Sequence, residues 1–338
     1  MKALSKWGEY KDYLDALKTI DTNKFLFHQD QWLKIVKQSF NLEIKSIFTF
    51  NDHAKLLALT PVMIRKRGPF CFMGSPLRGT FTDHSGIIFK ENISEDIQSI
   101  VLKSQFKMLK KEAHYIELGF SDGYDCLKKT LSSLNFKETA FKSSLISLPS
   151  KSDELMSSFT GRARNMIRKS EKKGVSVLEI SPNKDWINKY YMMLNDTFSK
   201  QGQKSPHPKS FFLNLISLHE NKNALFLGAY LEKEIVAAAI YLIDKSRMIY
   251  LSGTSNKKGL DSAATSALKW HAMQYGQRNN YEVFDMGGLG IPSIDKFKLS
   301  FGGEIYTKNR WIYQSKALSL IEPFAMWAIN KGIIRFKL

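Results

Sequence analysis

Acidic residues are scarce in this chain. Across 338 residues, 32 Asp+Glu stand against 50 Lys+Arg, a formal net charge of +18. That shortage points to anionic partners: phosphates, nucleic acid or an acidic membrane surface. Cysteine is nearly absent. Cys71 and Cys126 have neither metal-ligand nor redox spacing, which leaves no disulfide framework. At most one disulfide could form, and a reducing cytoplasm is the simpler expectation. The histidines, at positions 28, 53, 84, 114, 207, 219 and 271, show no ligand spacing, so no metal is expected. No apolar run is long enough to span a bilayer. The first 18 residues carry charges throughout and lack the apolar core of a signal peptide. The expectation is a soluble or peripheral cytoplasmic protein. What is plentiful is core material: 43% of residues are hydrophobic and 12% aromatic, enough at this length for two domains.

Periodicity divides the chain into two similar halves. Residues 1–40 read as helical, with Trp7, Tyr10, Tyr13, Leu14 and Leu17 at helical spacing and Trp32, Ile35, Val36 and Phe40 after them. Strand-like runs follow at Ile44–Phe50, Leu56–Ile64 and Phe70–Met73, separated by turn chemistry at Asn51-Asp52-His53 and Arg65-Lys66-Arg67-Gly68-Pro69. A helix, the strand Tyr115–Phe120, a second helix and, over Phe136–Leu148, a closing strand pair or one long strand complete the first half. The second half repeats this order. Helices lie around Tyr190–Phe198 and Phe211–Leu218, and a meander covers Ala224–Leu231, Ile235–Ile243 and Arg247–Thr254. Next come a helix from about Ser262 to Tyr275, the strand Tyr281–Met286, a helix around Ser293–Phe301 and the strand Glu304–Tyr313. The fold class expected is α/β, as two similar domains over 1–150 and 151–316. A C-terminal amphipathic tail, 317–338, either packs on the core or rests on an anionic bilayer.

Four stretches carry candidate chemistry. The first is Val283-Phe284-Asp285-Met286-Gly287-Gly288-Leu289-Gly290, an apolar run ending in an acid and a glycine turn. Such a turn lets a ligand approach the backbone. Lys298 follows, flanked by Phe297, Leu299 and Phe301; an ordinary strand–turn–helix junction with a snorkelling lysine is the competing reading. The second is the basic run 159–174. As a helix it aligns Arg164, Arg168 and Lys172 on one line and Arg162, Asn165, Lys169 and Lys173 on another, ending at Gly174. Like charges at that spacing repel, and arginine forks suit a diphosphate. A solvated face is the alternative. The third is Ser252–Ser262, a short Gly-containing loop between strand and helix, with Thr254, Ser255, Asn256 and Gly259 placed to hold an acyl carbonyl or a phosphate on backbone amides. The fourth is Asp83 with His84 in the Gly74–Ser85 loop, either of which could act as a general base.

In their order and spacing, three of these features resemble the Fem-type family of peptidoglycan aminoacyl transferases and their acetyltransferase-like relatives in the GNAT superfamily. They are the Arg162–Lys169 segment before Lys173-Gly174-Val175, then Gly253-Thr254-Ser255-Asn256 through Ala267-Leu268-Lys269-Trp270-His271-Ala272, then Phe284-Asp285-Met286-Gly287-Gly288 with Phe297-Lys298 and Phe301-Gly302-Gly303. The match is best over roughly 155–313. The resemblance implies twin GNAT-like domains, mixed and largely antiparallel sheets flanked by helices, with a groove between them. It also implies transfer of an acyl or aminoacyl group to an amine. Lys298 matches a lysine that steadies the transition state, and Asp83 falls near an acid that some members carry. Arg162, Arg164, Asn165 and Lys169, with Asp285, Gly287 and Gly288, are expected to bind substrate. Thr254, Ser255, Asn256 and Gly259 are expected to hold the donor, either acyl-CoA or aminoacyl-tRNA. The tRNA-associated helical hairpin insertion is not apparent, and the Asn256–Asp261 loop lacks the full Arg/Gln-x-x-Gly-x-Gly/Ala signature of acetyl-CoA enzymes, so the donor stays open. The acceptor expected is a nucleotide- or lipid-linked sugar or peptide of the cell envelope. Transfer RNA and the inner membrane face are further possible contacts. Two other readings are an acetyl-CoA-dependent N-acetyltransferase acting on an amino-sugar nucleotide, and a non-enzymatic binder of nucleic acid or anionic membrane.

Overall fold

The computed structural model describes residues 2–20, 25–120, 124–200, 202–321 and 323. Two compact units emerge. The first comprises residues up to Ala140 and those from Asn309 onward; the second is Phe141–Lys308.

In the first unit, β1 (Ala3–Gly8), β2 (Glu43–Asn51), β3 (Leu56–Arg67) and β4 (Phe70–Ser75) form an antiparallel series, and β5 (Ile88–Phe89) pairs with β3. Next to β4 lies β6 (Tyr115–Gly119), in parallel register from Phe72↔Tyr115 to Ser75↔Leu118. The sheet is finished by the last part of the strand Glu304–Gln314, antiparallel to β6 from Arg310↔Gly119 to Gln314↔Tyr115. The helix Glu95–Leu109 buries Val101, Leu102, Phe106 and Leu109 in a core with Ile47, Val62, Ile116, Leu131 and Trp311. One expectation fails here. Residues 1–40 are not wholly helical, because the chain begins with a strand. Trp7 pairs with Ile47 in β1, whose alternating exposure fits a sheet edge. Helices then run over Tyr10–Ile20 and Asp30–Phe40.

The second unit repeats the plan. It has β7 (Lys137–Ser147, from Phe141 on), β8 (Ser176–Glu179), β9 (Ala224–Leu231), β10 (Glu234–Asp244), β11 (Arg247–Ser255) and β12 (Val283–Gly288). Strands β8 to β11 are antiparallel in sequence order, β12 lies parallel to β11, and β7 lies antiparallel to β12. Four antiparallel strands, one parallel step and one antiparallel finish therefore occur in both units. This is the mixed α/β architecture expected. The core of the second unit gathers Ala163 and Ile167 from the helix Gly161–Lys172 and Leu268, Ala272 and Met273 from the helix Ala264–Arg278. These pack against Leu227, Val236, Ala239, Tyr241, Phe284 and Phe301.

Of the expected tail, 316–321 is helical, with Leu318 buried and Leu320 exposed. Residues 322 and 324–338 lie outside the described residues.

Candidate active site

Strands β11 and β12 stay paired for only three residues: Arg247↔Val283, Met248↔Phe284 and Ile249↔Asp285. Beyond them the strands part. On the other side of β11, the register with β10 jumps from Tyr241↔Tyr250 to Ile240↔Ser252, so Leu251 is an extra residue in a bulge. On the β12 side, the chain leaves through Gly287, at φ +75. A Cβ there would lie 3.0 Å from the Tyr250 carbonyl and 3.7 Å from Lys298 Nζ. Glycine is required for both its φ and its bareness. Gly287→Ala should fold but lower the melting midpoint by a few degrees and slow turnover at least tenfold, since the displaced turn carries Lys298's acceptor. Parallel thermal melts and rate measurements check both effects.

Asp285 holds this turn in shape. It is 1% exposed. Its Oδ1 accepts the Gly287 N–H at 2.8 Å, and its Oδ2 accepts from Lys308 Nζ at 2.9 Å and from the Arg247 guanidinium. The acid is thus committed to two cations and the backbone, which suits an orienting role.

Lys298 reaches the same turn from the helix Pro292–Leu299. Proline at the start presets the helical φ, and the Asp295 carboxylate accepts the N–H groups of Gly290 at 3.0 Å and Ile291 at 3.3 Å. Only 8% of Lys298 is exposed, and its Nζ donates to the Gly288 carbonyl at 2.6 Å. Burial lowers its pKa from the usual lysine value, while Asp285 and Asp295 pull it back up. Asp285, Gly287, Gly288 and Lys298 therefore form one cluster.

Two residues in this cluster went unpredicted. Tyr250 presents its ring 5.8 Å from Lys298 Nζ. Lys269, 4% exposed, sets its Nζ directly on that ring and 5.2 Å from the Tyr241 centroid. A signal for Lys269 was present: it shares a helix face with buried Ser266, Ala272, Met273 and Gly276.

The expected donor loop is used by the fold itself. Thr254 is buried, with its hydroxyl 3.1 Å from that of Thr197. Asn256 caps the short helix Lys257–Asp261 by accepting the Gly259 N–H at 2.9 Å, and its own N–H donates to the Val236 carbonyl. A Cβ on Gly259 would lie 2.2 Å from that same carbonyl oxygen, so the glycine answers a close approach of backbone. Ser255 is half-buried beside them.

The basic segment is helical over Gly161–Lys172, with Thr160 as its cap and Gly174 at φ +73 beyond its end. Ala163, Ile167 and Ser170 face the core; Arg162, Asn165 and Arg168 are exposed, and Lys169 is half-buried. Arg164 folds back to donate to the carbonyls of Phe159 and Ser157. Asp83 belongs to the first unit. Its Oδ2 lies 3.4 Å from His84 Nδ1, and its carbonyl accepts from Arg310. The Arg310 guanidinium also donates to the Thr82 carbonyl at 2.8 Å and pairs with the fully buried Glu117 at 2.7 Å.

Residues 157–299, which span Arg162 to Lys298, match the family model described as an acetyltransferase (GNAT) domain. Among solved structures, FemX superposes with a TM-score of 0.72 at 16% identity, covering 95% of this chain and 100% of its own. A tandem GNAT protein from the clavulanic acid biosynthesis pathway gives 0.57 at 8% identity, over 93% and 98% of the two chains. L-PGS from Bacillus licheniformis gives 0.54 at 12%, over 90% and 96%. No curated protein matches by sequence. Residues 157–299 match the GNAT acetyltransferase-domain model, in a chain that has the fold of FemX.

Proposed function

We propose that this protein N-acylates an amine carried on a cell-envelope precursor, with chemistry centred on the second unit. One observation carries the reading: a lysine buried in the helix after β12 places its ammonium against the open glycine turn where β11 and β12 part. A donor carbonyl held at that parting, in place of the Gly288 contact, would have Lys298 beside the oxygen on which negative charge develops. Removing one such donor typically costs about 3 kcal/mol of transition-state stabilisation. Holding donor and acceptor together supplies the rest through proximity. Asp285 keeps the turn rigid. The exposed Arg162, Asn165 and Arg168, together with Arg164 and Lys169, give the acceptor's phosphates a cationic surface.

FemX and L-PGS, as neighbours in fold, favour an aminoacyl donor and a lipid- or peptidoglycan-precursor acceptor. The description of the matched domain favours an acetyl donor, which fits the alternative of an acetyl-CoA-dependent enzyme acting on an amino-sugar nucleotide. A thermal-shift panel of acetyl-CoA, alanyl-tRNA and UDP-glucosamine separates the two, because a ligand raises the midpoint by mass action. The expected result is a saturable shift with one donor and with the sugar nucleotide. If no donor shifts the midpoint and a polyanion binds with steep salt dependence, the protein is a binder and the transferase reading fails.

A further inference from the structure

The group that this scheme leaves unused is Lys269. Its helix turns it inward, and only 4% of it is exposed. Among the described residues, its Nζ makes no hydrogen bond to an acceptor and no ion pair. Its neighbours are the Tyr250 ring, on which it sits, and the Tyr241 ring. A buried ammonium without an acceptor is costly, and an amine in that position sheds its proton. The same Tyr250 ring is faced by Lys298, and two cations in one apolar site repel.

The two lysines are not equivalent. Lys298 has the Gly288 carbonyl to donate to, and the nearby Asp285 and Asp295 carboxylates favour its charged form. Lys269 faces Tyr241, Tyr250 and Lys298. Burial first, and then the charge of Lys298, push its pKa well below the usual value. Both phenols stay neutral: burial raises Tyr250 to about 12 and Tyr241 well above its ordinary range. Burial and the neighbouring Lys298 thus disfavour the ammonium form of Lys269, whereas Lys298 keeps an acceptor and two carboxylates that favour its own.

We propose that Lys269 is the proton acceptor of the acyl transfer, with Lys298 as the fixed cation beside it at the Tyr250 ring. This rests on the acyl-transfer reading above and adds the residue that handles the proton. The acceptor amine attacks the donor carbonyl carbon, a C–N bond forms, and the oxygen becomes an oxyanion facing Lys298. The new nitrogen carries one proton too many, and Lys269 takes it. As the oxyanion collapses, the bond to the leaving sulfur or oxygen breaks. Lys269 then returns the proton to that atom, giving an amide and a free thiol or hydroxyl. No oxidant or further reactant is needed.

The test compares wild type with Lys269→Met and Lys269→Arg in single-turnover acyl transfer to UDP-glucosamine, using acetyl-CoA and alanyl-tRNA in turn. Methionine keeps the shape without the base. Arginine keeps a permanent positive charge that cannot accept a proton. Both variants should lose about a hundredfold or more in the transfer step, the scale of general-base catalysis, with donor KM within a few-fold of wild type. Lys269→Met should also melt higher than wild type, and by a larger margin at lower pH. The sign follows from linkage. A lysine whose folded pKa is lowered penalises the fold below that value, and the penalty fades as pH rises toward the unfolded one. Independently, the ¹⁵N NMR signal of Lys269 Nζ at pH 7 should be that of a neutral amine. Retained activity in Lys269→Arg would overturn the proposal and make the residue an anion ligand. A protonated Nζ signal in wild type would overturn it even if neither variant folds. A wild type inactive with both donors condemns the acyl-transfer reading itself.

Discussion

Lys298→Ala is expected to slow acyl transfer by two to three orders of magnitude while the fold persists. The loss follows from placement. Lys298 is the only lysine of the helix Pro292–Leu299 that is buried, and its Nζ meets the backbone at the turn through which β12 leaves β11. Truncation removes a charged donor in a water-poor site, an effect typically of 10²- to 10³-fold. Stability should change little, because the buried amine itself costs desolvation that truncation relieves. The pH profile provides a second readout. With its pKa lowered by burial, Lys298 loses its proton below the ordinary lysine range, so activity that needs the ammonium should fall on an alkaline limb beginning there. Asp285 raises that pKa, so weakening Asp285 should move the limb to still lower pH. Wild-type rates in Lys298→Ala would remove the residue from the mechanism.

The second large effect concerns stability. Asp285→Ala strips the buried acid that serves Arg247, Lys308 and the Gly287 N–H together, removing the one carboxylate that these three donors share. Breaking a buried pair by removing one partner typically costs about 3–5 kcal/mol. For a unit of this size that lowers the melting midpoint by roughly 6–20 °C. Asp285→Asn, which keeps an oxygen for Gly287 but loses the charge, should fall between. Calorimetry on both variants checks the order. If Asp285→Ala melts with wild type, the network does not hold the turn.

Where local chemistry decides, the sequence is readable. The glycine turn with its following lysine, the capped basic helix ending at Gly174 and the meander β9–β11 all follow from residue type and short-range spacing. Their hydrogen bonds close within a few residues or across tight turns. What escapes is decided at a distance. A strand over 137–147 is legible, but which sheet it finishes is not. It pairs with β12, about 140 positions on, and Arg310–Gln314 pairs back with β6. Likewise, β1 reads as helix because Trp7 sits at helical spacing from Tyr10 and Leu14. Only its pairing with Ile47 on β2 reveals a strand. Lys269 stands within the Ala267–Ala272 segment without a local mark of its role, because a lysine on a helix normally lies on a solvated face. Burial against Tyr250 and Tyr241 is a tertiary fact. The roles of Asn256 as a cap and Gly259 as a contact point for the Val236 carbonyl show the converse, since the fold itself accounts for both residues.

The most direct test is a structure of the protein with a reaction-resistant donor. The probe is a thioether analogue of acetyl-CoA or an amide-linked aminoacyl-tRNA mimic, whichever parent raises the melting midpoint. The account predicts the donor's carbonyl oxygen, or its mimic, within hydrogen-bonding distance of Lys298 Nζ, at the parting of β11 and β12. A donor bound elsewhere, with Lys298 still engaged by Gly288 alone, would contradict it.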